Sequence, residues 1–541
     1  MSAECLPMSV LPHISRLFRD YLAMEEQAPL RKWFGAVPSG HAWMGHLEPV
    51  AGSDALADAL LRQSLAFGAG EATQRNIDRL RGGARVVVTG QQVGLLGGPL
   101  LTLLKAATAI ARAKQASAAT GIEHVPIFWL ASEDHDLEEV DQVSLPGRHG
   151  MQTLGMGVDG HGAPVGGVRL GPGATQLVEQ ASELLSYAPV CDLLAQCYTA
   201  EATLAGAFAR LMTRLFANHG LIVMDAAGRE FHALGRSTLR AAIEGADELE
   251  AALLSRTAEL ESAGYHAQVL VKPGSSLLFL IDEGTGRRLP LRRVKVSAIG
   301  AQNAVWKAGA HTFTTAELLA ILEAQPERIS PNALLRPIFQ DTILPTAAYV
   351  GGPSEVAYFA QSAVLYQAIL GRVTPVLPRF SATLIQPAIA AVMARDEVSL
   401  DDILALGTVD ALTLRLGARA MPIEGKRRLA AVGTAMDAEL EVLTGYLASM
   451  DPSLGRAASI SASKMRYQMN RLRRMAATFE VQKEASLRKH ASAMMLHLFP
   501  DGHPQERVVG GVWFLAQQED LIERLVDEAG GMCLGHAVIR L

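Results

Sequence analysis

The chain has 541 residues, 49% of them hydrophobic, which predicts a large core and at least one further domain. Lys and Arg total 49 against 55 Asp and Glu, and the net charge of −6 argues against nucleic acid or an anionic membrane as partner. The longest apolar stretch, residues 95–110, is interrupted by glycine, proline and lysine, and falls short of the roughly 20 apolar residues of a membrane helix.

The four cysteines favour a reducing compartment. Cys5, Cys191, Cys197 and Cys533 form neither a CxxC pair nor a metal-binding spacing, so we expect four free thiols. The first thirty residues carry charges throughout and contain no uninterrupted apolar stretch of signal-peptide type. Both observations predict a cytoplasmic protein.

The first two thirds of the chain alternate short β-branched runs with helical patterns, which predicts βαβ units and a parallel sheet. The clearest unit has a strand over residues 85–89, a glycine-rich turn over 90–98 and a helix that starts at Pro99. The remaining strands of an open, doubly wound sheet are expected at residues 125–130, 221–224, 336–339 and 373–377.

Residues 145–215 and 260–310 do not continue this alternation, so we predict that both are insertions into the sheet domain. The second contains a hairpin pattern over residues 277–284. The C-terminal segment, residues 499–541, is expected to pack back on a core that spans residues 1–384.

Residues 385–498 are predicted to form a separate helical domain. Two long segments, residues 423–450 and 456–496, carry apolar residues at spacings of three and four, as coiled-coil helices do. They predict an antiparallel hairpin with more apolar surface than it can bury alone. Pairing with a second copy of the chain would cover that surface, so we expect a homodimer.

The glycine-rich turn is a candidate anion site, because backbone N–H groups and the positive end of a helix dipole attract phosphate or carboxylate. Its candidate ligand-binding residues are Gly90, Gln91, Gln92, Gly94, Gly97 and Gly98. The segment is neither a GxGxxG motif nor a Walker loop. A tight turn that only brings helix and sheet together would use the same glycines.

A cluster of acidic residues around one histidine follows the second predicted strand. The carboxyl ends of neighbouring parallel strands share one crevice, which places this cluster beside the glycine-rich turn. Glu133, Asp134, His135 and Asp136 could accept a proton, hold an amine or bind Mg²⁺, or they could be solvated surface. Zinc fits poorly because the cluster lacks HExxH spacing and a nearby cysteine, and no metal site is predicted.

A third polar segment runs from residue 330 to residue 355. Polar residues this dense around a predicted strand are costly to bury without partners, so they either form an internal network or face a ligand. They include Asn332, Arg336, Gln340, Asp341 and Glu355.

Together these segments resemble the signature stretches of the BshC family. The stretches are TGQQVGLLGGPL at 89–100, PIFWLASEDHDLEEVDQV at 126–143, SPNALLRPIFQDTILPTAAYVGGPSEVAYFAQ at 330–361, LPRFSATLI at 377–385 and FPDGHPQERV at 499–508. Five ordered stretches across most of the chain make the resemblance specific. One departure is Gly97, where the family is expected often to have Thr.

The resemblance implies a Rossmann-like core with connecting-peptide insertions and a coiled-coil domain that pairs subunits. It also implies a ligase that adds L-cysteine to glucosaminyl malate, the last step of bacillithiol synthesis. A carboxylate does not form an amide in water without activation. We therefore expect ATP or another nucleotide, with Mg²⁺ as a candidate companion, and an acyl-adenylate or acyl-phosphate.

Under this resemblance the candidate residues acquire roles. The glycine-rich turn would hold an anion, and Lys105 would add charge if it faces the crevice. Asp134, His135 and Asp136 would hold or deprotonate the attacking amine. Arg336 would clamp a malate carboxylate, because its planar guanidinium can pair bidentately. The substrate-binding candidates are Glu133, Asn332, Arg336, Gln340, Asp341 and Glu355.

Two alternatives stay open, because a fold does not determine a substrate. One is a nucleotidyltransferase or synthetase-like enzyme of the same fold that acts on another amino acid or sugar. The other is a scaffold in which the sheet domain is inactive and the coiled coil carries the function. Thiol analysis in a deletion strain tests the first, and ligand binding at the glycine-rich turn argues against the second.

Overall fold

The computed structural model describes residues 4–45, 51–294, 305–531 and 533–541. Its strands, numbered β1 to β15 in chain order, are Glu4–Leu6, Arg85–Gln91, His124–Leu130, Gln142–Pro146, Met151–Gly155, Ile222–Asp225, Ser275–Ile281, Arg288–Val294, Val305–Ala308, His311–Thr314, Ile329–Pro331, Thr346–Gly351, Val376–Pro378, Ser381–Ile385 and His536–Arg540. Its α-helices, α1 to α22, are Arg16–Leu22, Asp54–Ala66, Glu71–Arg81, Leu101–Thr120, Gly173–Leu184, Val190–Cys197, Leu204–Leu215, Arg229–Leu234, Arg236–Glu244, Ala246–Ser262, Thr315–Ala324, Arg336–Ile343, Pro353–Leu370, Pro387–Arg395, Leu400–Leu406, Val409–Ala420, Ile423–Met450, Pro452–Lys483, Ser486–Leu498, Gln505–Val508, Gly511–Leu515 and Leu521–Ala529.

The chain divides into two compact units. The first comprises Met1–Thr383 and Glu506–Ile539, and the second comprises Leu384–Gln505 and Arg540–Leu541. The helical domain that was predicted over residues 385–498 thus corresponds to a unit that extends to residue 505. Among the described helices, none is both long and apolar enough to cross a membrane.

The first unit is built on a parallel sheet of five strands in the order β13-β12-β2-β3-β6. The first of these strands in the chain, β2, lies in the middle, and later strands are added on both sides. This is the doubly wound, Rossmann-like arrangement, and the predicted fold class is confirmed. Every residue of β3 and β12 is buried, as expected for strands with both faces covered.

Helix α4 connects β2 to β3 and packs on both strands. Twelve of its residues are buried, and it ends at Gly121, which adopts the left-handed conformation (φ 69°) that favours glycine. The helix begins at Leu101, two residues after the predicted start at Pro99. Its buried face therefore presents Lys105 toward the end of β2.

The prediction of a strand over residues 336–339 is wrong. Asn332 accepts hydrogen bonds through its Oδ1 atom from the backbone N–H groups of Leu334 and Leu335, and this turn leads into helix α12. The strand follows at Thr346–Gly351. The next strand, expected at residues 373–377, spans Val376–Pro378.

The two predicted insertions contain compact structure of their own. Residues 145–215 include part of the β4–β5 hairpin and helices α5 to α7. The predicted hairpin of the second insertion is β7 paired with β8, within an antiparallel sheet in the order β10-β9-β8-β7-β11. Residues 295–304 of that insertion lie outside the described residues. This sheet matters for the site because β8 begins with Arg288.

The second unit contains helices α14 to α19, and its longest helices form the expected antiparallel hairpin. Gly455 of α18 lies against Ala448 of α17 near the turn, and Gly433 lies against Arg473 farther away. Helix α18 ends at Lys483 and α19 starts at Ser486, so the segment predicted over residues 456–496 is two helices.

The prediction of four free thiols is wrong for Cys5 and Cys533, which form a disulfide. Strand β1 pairs antiparallel with β15, and this pairing brings the two ends of the chain together. No spacing rule could reveal the bridge, because 528 residues separate its cysteines. Cys191 and Cys197 are free and buried.

Candidate active site

A cavity of about 280 Å³ opens at the carboxyl edge of the parallel sheet, where β2 and β12 lie side by side. The strand order reverses at this point, and α/β sheets bind ligands at such a switch point. The predicted residues that line the cavity are Gly90, Gln91, Gln92, Lys105, Asp134, Arg336, Gln340 and Glu355. Three separate sequence segments thus meet in one place.

Lys105 is a deeply buried charge in contact with the cavity. Its ammonium lies 2.6 Å from Glu355 Oε2 and donates to the backbone oxygen of Gly90 (2.7 Å) and to Gln91 Oε1 (2.9 Å). Burial lowers the pKa of Lys105, although Glu355 opposes the shift. The three N–H donors of the ammonium are all used within the protein, so Lys105 supplies charge and holds β2 to helix α13.

Glu355 is equally committed to internal contacts. Its Oε1 atom accepts a hydrogen bond from the Tyr349 hydroxyl (2.5 Å), and its Oε2 atom accepts one from the backbone N–H of Gly352 (2.7 Å). The carboxylate therefore caps the N-terminus of helix α13, where the positive end of the helix dipole also favours a negative charge. We infer that Glu355 shapes the cavity wall and has little capacity left for a ligand.

The second half of the glycine-rich turn does not reach the cavity. Gly97 and Gly98 are buried with positive φ angles of 87° and 70°. The Gly97 N–H donates to the Tyr198 hydroxyl, and the Gly98 N–H donates to the backbone oxygen of Leu95. The Gly94 N–H is likewise bonded to the Gln92 oxygen. These three N–H groups are not available to an anion, so the anion-binding prediction is restricted to Gly90, Gln91 and Gln92.

Asp134 is the carboxylate that faces the cavity after β3. Its Oδ1 atom accepts the backbone N–H of His135 (2.8 Å) and lies 3.8 Å from Arg288 Nη1. Burial raises the pKa of Asp134, but Arg336, the His135 N–H and Arg288 outweigh it, and the pKa lies below its ordinary value. Asp134 is therefore ionised at neutral pH and presents a negative charge to a ligand.

The other members of the acidic cluster point elsewhere. Glu133 is buried and lies 2.8 Å from Nε2 of the buried His232, an ion pair that lowers the pKa of Glu133 despite its burial and raises that of His232. His135 and Asp136 are exposed outside the cavity, and the His135 ring lies 6.0 Å from that of Phe279. Only one of the four predicted residues is in position to contact a ligand.

Helix α12 explains why the third polar segment is split between wall and core. Arg336 and Gln340 are four residues apart, so they share the helix face that lines the cavity. Asp341 points away and accepts a hydrogen bond from the Tyr366 hydroxyl (2.6 Å), and burial raises its pKa. Asn332, whose oxygen starts the helix, lines a separate and smaller cavity.

The lining residues that were not predicted as site residues include four with large polar side chains: Tyr349, Tyr358, Arg379 and Arg507. Arg379 follows β13, and its Nη1 and Nη2 atoms donate to the two carboxylate oxygens of the buried Glu506 at 3.0 and 2.7 Å. Both arginines lie in stretches that carry the family resemblance, LPRFSATLI and FPDGHPQERV. The resemblance of these stretches could have identified the two arginines as candidates. Because they are far in sequence from the motifs at the ends of the strands, the sequence did not predict that they line the cavity.

The described residues contain no group of three His, Cys, Asp or Glu side chains that could hold a metal ion. The cavity is instead lined by four cationic side chains, Lys105, Arg336, Arg379 and Arg507, and two carboxylates, Asp134 and Glu355. Such a lining suits an anionic ligand that also carries an amine or a hydroxyl group.

Comparison with known proteins covers both units. Residues 1–380 match the family model for the N-terminal Rossmann-like domain of bacillithiol biosynthesis BshC, and residues 382–541 match that for its C-terminal coiled-coil domain. Proteins of Koribacter versatilis and Solibacter usitatus are 42% and 34% identical over the full length of both chains. A protein of Chlorobaculum tepidum is 33% identical over 84% of this chain and 83% of its own. All three are named "Putative cysteine ligase BshC".

Proposed function

The chain belongs to the BshC family of bacillithiol biosynthesis, and from this premise we propose that it joins the carboxyl group of L-cysteine to the amino group of glucosaminyl malate. The observation that carries the proposal is the match of both family domains, in order, over nearly the whole chain. The cavity supports it, because its lining combines cations for carboxylates with an ionised carboxylate for an amine.

In this proposal Arg336 pairs with a carboxylate of the malyl group, and Asp134 accepts an N–H hydrogen bond from the attacking amine. The low pKa of Asp134 makes it a weak base, so it orients the nitrogen and the proton passes on to solvent. The nitrogen attacks the activated carboxyl carbon, the C–N bond forms, and the activating group leaves with the electrons of the C–O bond. Gln340, on the same helix face as Arg336, donates an N–H to Asp341 Oδ1 (3.2 Å), and its amide oxygen is the group that would orient the sugar.

Activation of the cysteine carboxylate requires a co-substrate, and ATP, which transfers a phosphoryl or adenylyl group, is our proposal. The lining residues fit an anionic phosphate at the edge formed by Gly90, Gln91 and Gln92. Leu101, the first residue of α4, lies at the same cavity, so the positive end of a 20-residue helix faces it.

Product formation tests the proposal directly. Purified protein incubated with L-cysteine, glucosaminyl malate, ATP and Mg²⁺ is expected to yield a thiol whose mass equals that of the two substrates minus water. L-Serine in place of L-cysteine serves as the control, and detection of AMP or ADP identifies the group transferred. A deletion strain should accumulate glucosaminyl malate. Bound substrates without any amide product, with every nucleoside triphosphate tried, would contradict the proposal.

We also propose a cytoplasmic location, which rests on the ATP and thiol chemistry of the reaction. Cys5 is exposed and Cys533 is half-buried, so cytoplasmic reductants could reach their disulfide. The hydrogen bonds between β1 and β15 do not depend on the bridge, and we expect the two ends to stay paired when it is reduced.

The α17–α18 hairpin supports the proposal of a homodimer. Leu440, Ala462 and Met469 are buried between helices, but most of the large exposed apolar side chains of the described residues lie on these two helices. They include Val432, Val442, Leu443, Tyr446, Ile460, Met465, Leu472, Met475 and Phe479. A concentration of exposed apolar side chains on two helices is typical of an interface, and a second copy of the hairpin carries the same side chains.

We expect the Leu443→Glu, Phe479→Glu double variant to be monomeric, with a mass near 57.7 kDa instead of twice that value in light scattering. Both side chains are more than half exposed, so the substitutions should leave each subunit folded. Leu65→Glu is the matched control, because Leu65 is 53% exposed on α2, outside the hairpin. A double variant that keeps the dimeric mass would disprove the proposed interface.

A further inference from the structure

Two of the four cations that line the cavity have no counter-ion. Lys105 is paired with Glu355, and Arg379 is paired with Glu506. Arg336 and Arg507 form no ion pair or side-chain hydrogen bond with any of the described residues. The positive charge of Arg336 contributes to the lowered pKa of Asp134, but the two side chains do not form an ion pair. The cavity therefore holds two guanidinium groups whose N–H donors are free.

The backbone on both sides of Arg507 is firmly anchored. On one side, the Glu506 carboxylate binds Arg379 and also accepts the hydroxyl of Ser381 and the N–H of Ala382. On the other side, the backbone oxygen of Val509 accepts the N–H of Leu100 at 2.8 Å, just before α4. The C-terminal segment thus holds Arg507 at the cavity, although its side chain forms no bond that would keep it there.

The two free guanidinium groups lie on opposite sides of the switch point. Arg507 follows Glu506, whose carboxylate binds Arg379 directly after β13. Arg336 is on the side of β3, where its charge acts on Asp134. Strands β12 and β2 lie between them in the sheet. Burial is the main cause of the lowered pKa of Lys105, and the positive charge of the exposed Arg507 adds to it, which places the Arg507 guanidinium near the Lys105 ammonium.

We propose that Arg507 binds one carboxylate of a dicarboxylate ligand whose other carboxylate binds Arg336. This inference rests on the proposed function, in which the malyl group of glucosaminyl malate is that dicarboxylate. A guanidinium pairs with a carboxylate through two parallel N–H bonds, so two separated arginines select for a ligand with two carboxylates over a ligand with one. Arg507 is then a specificity-determining residue that the C-terminal segment contributes to the site in the parallel-sheet unit.

The test compares L-malate with L-lactate, which lacks one carboxylate, by calorimetric titration of the full-length protein. Wild-type protein should prefer malate, and Arg507→Gln should weaken malate binding about 10- to 100-fold with little effect on lactate. Arg507→Lys keeps the charge and should recover part of the affinity. Arg148→Gln, which removes an exposed charge outside the cavity, is the control for the net charge of the protein.

Kinetics separate this inference from the proposed function. In the ligase assay Arg507→Gln should raise the KM for glucosaminyl malate about 10- to 100-fold, whereas kcat and the KM for L-cysteine should stay within about twofold. Unchanged malate affinity and KM in a variant that turns over normally would overturn the role of Arg507 alone. A selective loss of ATP affinity would assign Arg507 to phosphate and also overturn it. Failure of the wild-type protein to form product would instead count against the proposed function.

Discussion

Asp134→Asn is expected to lower the rate of product formation about 100-fold or more, whereas Asp136→Asn should change it little. The two carboxylates are two residues apart in sequence, but only Asp134 lies at the cavity. An asparagine keeps the shape of the side chain and loses the charge that orients the amine. His135→Ala is expected to behave like Asp136→Asn, because the His135 ring is also outside the cavity.

The readout for this prediction is kcat together with a thermal melt of each variant. Asp134 is partly exposed, and its carboxylate accepts one backbone hydrogen bond and otherwise makes only long contacts, at 3.8 Å to Arg288 and 3.5 Å to the His135 ring, so Asp134→Asn should melt near the wild-type temperature. Equal losses of activity for Asp134→Asn and Asp136→Asn would show that the whole loop acts catalytically. Full activity of Asp134→Asn would remove Asp134 from the mechanism.

Arg379→Met is expected to destabilise the parallel-sheet unit by about 3 to 5 kcal/mol, the usual consequence of leaving one member of a buried ion pair without its partner. The Arg379 guanidinium and the Glu506 carboxylate are both almost fully buried and form two hydrogen bonds. Loss of the guanidinium leaves a buried carboxylate that binds only Ser381 and the Ala382 N–H.

This loss of stability should depend on pH. Although burial raises the pKa of Glu506, Arg379 and the other donors outweigh it and lower the pKa to about 2. Because the pKa of Glu506 is lower in the folded state than its ordinary value of about 4.5, the ionised carboxylate stabilises the folded state at pH values above about 4.5. This stabilisation is lost as the pH falls toward 2. In Arg379→Met the carboxyl loses its counter-ion and protonates at higher pH, so the difference from wild type should shrink between about pH 6 and pH 3.

Urea unfolding followed by tryptophan fluorescence measures this effect in the relevant unit, because Trp33, Trp43, Trp129, Trp306 and Trp513 all belong to it. The Arg379→Met, Glu506→Gln double variant removes both charges and should recover part of the lost stability. Arg81→Met is the surface control, because Arg81, at the end of α3, pairs with two exposed aspartates on α2. An effect of Arg379→Met no larger than that of Arg81→Met would contradict the prediction.

The sequence alone determined the class of fold and the region of the site. Short β-branched runs such as the one within residues 85–89, directly before a glycine-rich turn, indicate strands with both faces covered, and their alternation with helical patterns implies a parallel sheet. Parallel strands end at one edge, so the polar residues after β2 and β3 had to be neighbours. The long helical segments could also be predicted, because the spacing of apolar residues by three and four positions is a property of the local sequence.

Only the tertiary structure decided which side chain of each motif faces the cavity. Asp134 and Asp136 are equivalent in a sequence pattern, but in the turn after β3 the Asp134 side chain lines the cavity and Asp136 is exposed outside it. The strand expected at residues 336–339 is a helix, and the Asn332 side chain accepts two backbone N–H groups in the turn that leads into it, local bonds that compete with the pattern of apolar residues. The N–H groups of Gly94, Gly97 and Gly98 were predicted to be free and are bonded internally.

Contacts between distant parts of the chain lay beyond any local pattern. The Arg379–Glu506 pair joins residues 127 positions apart, and the Cys5–Cys533 bridge joins residues 528 positions apart. Such contacts neutralise Lys105 through Glu355 and Arg379 through Glu506. Arg336 and Arg507 have no such partner among the described residues and remain available to a ligand. Residue type and spacing identify the cations of this site, but the folded chain determines which of them already has a partner.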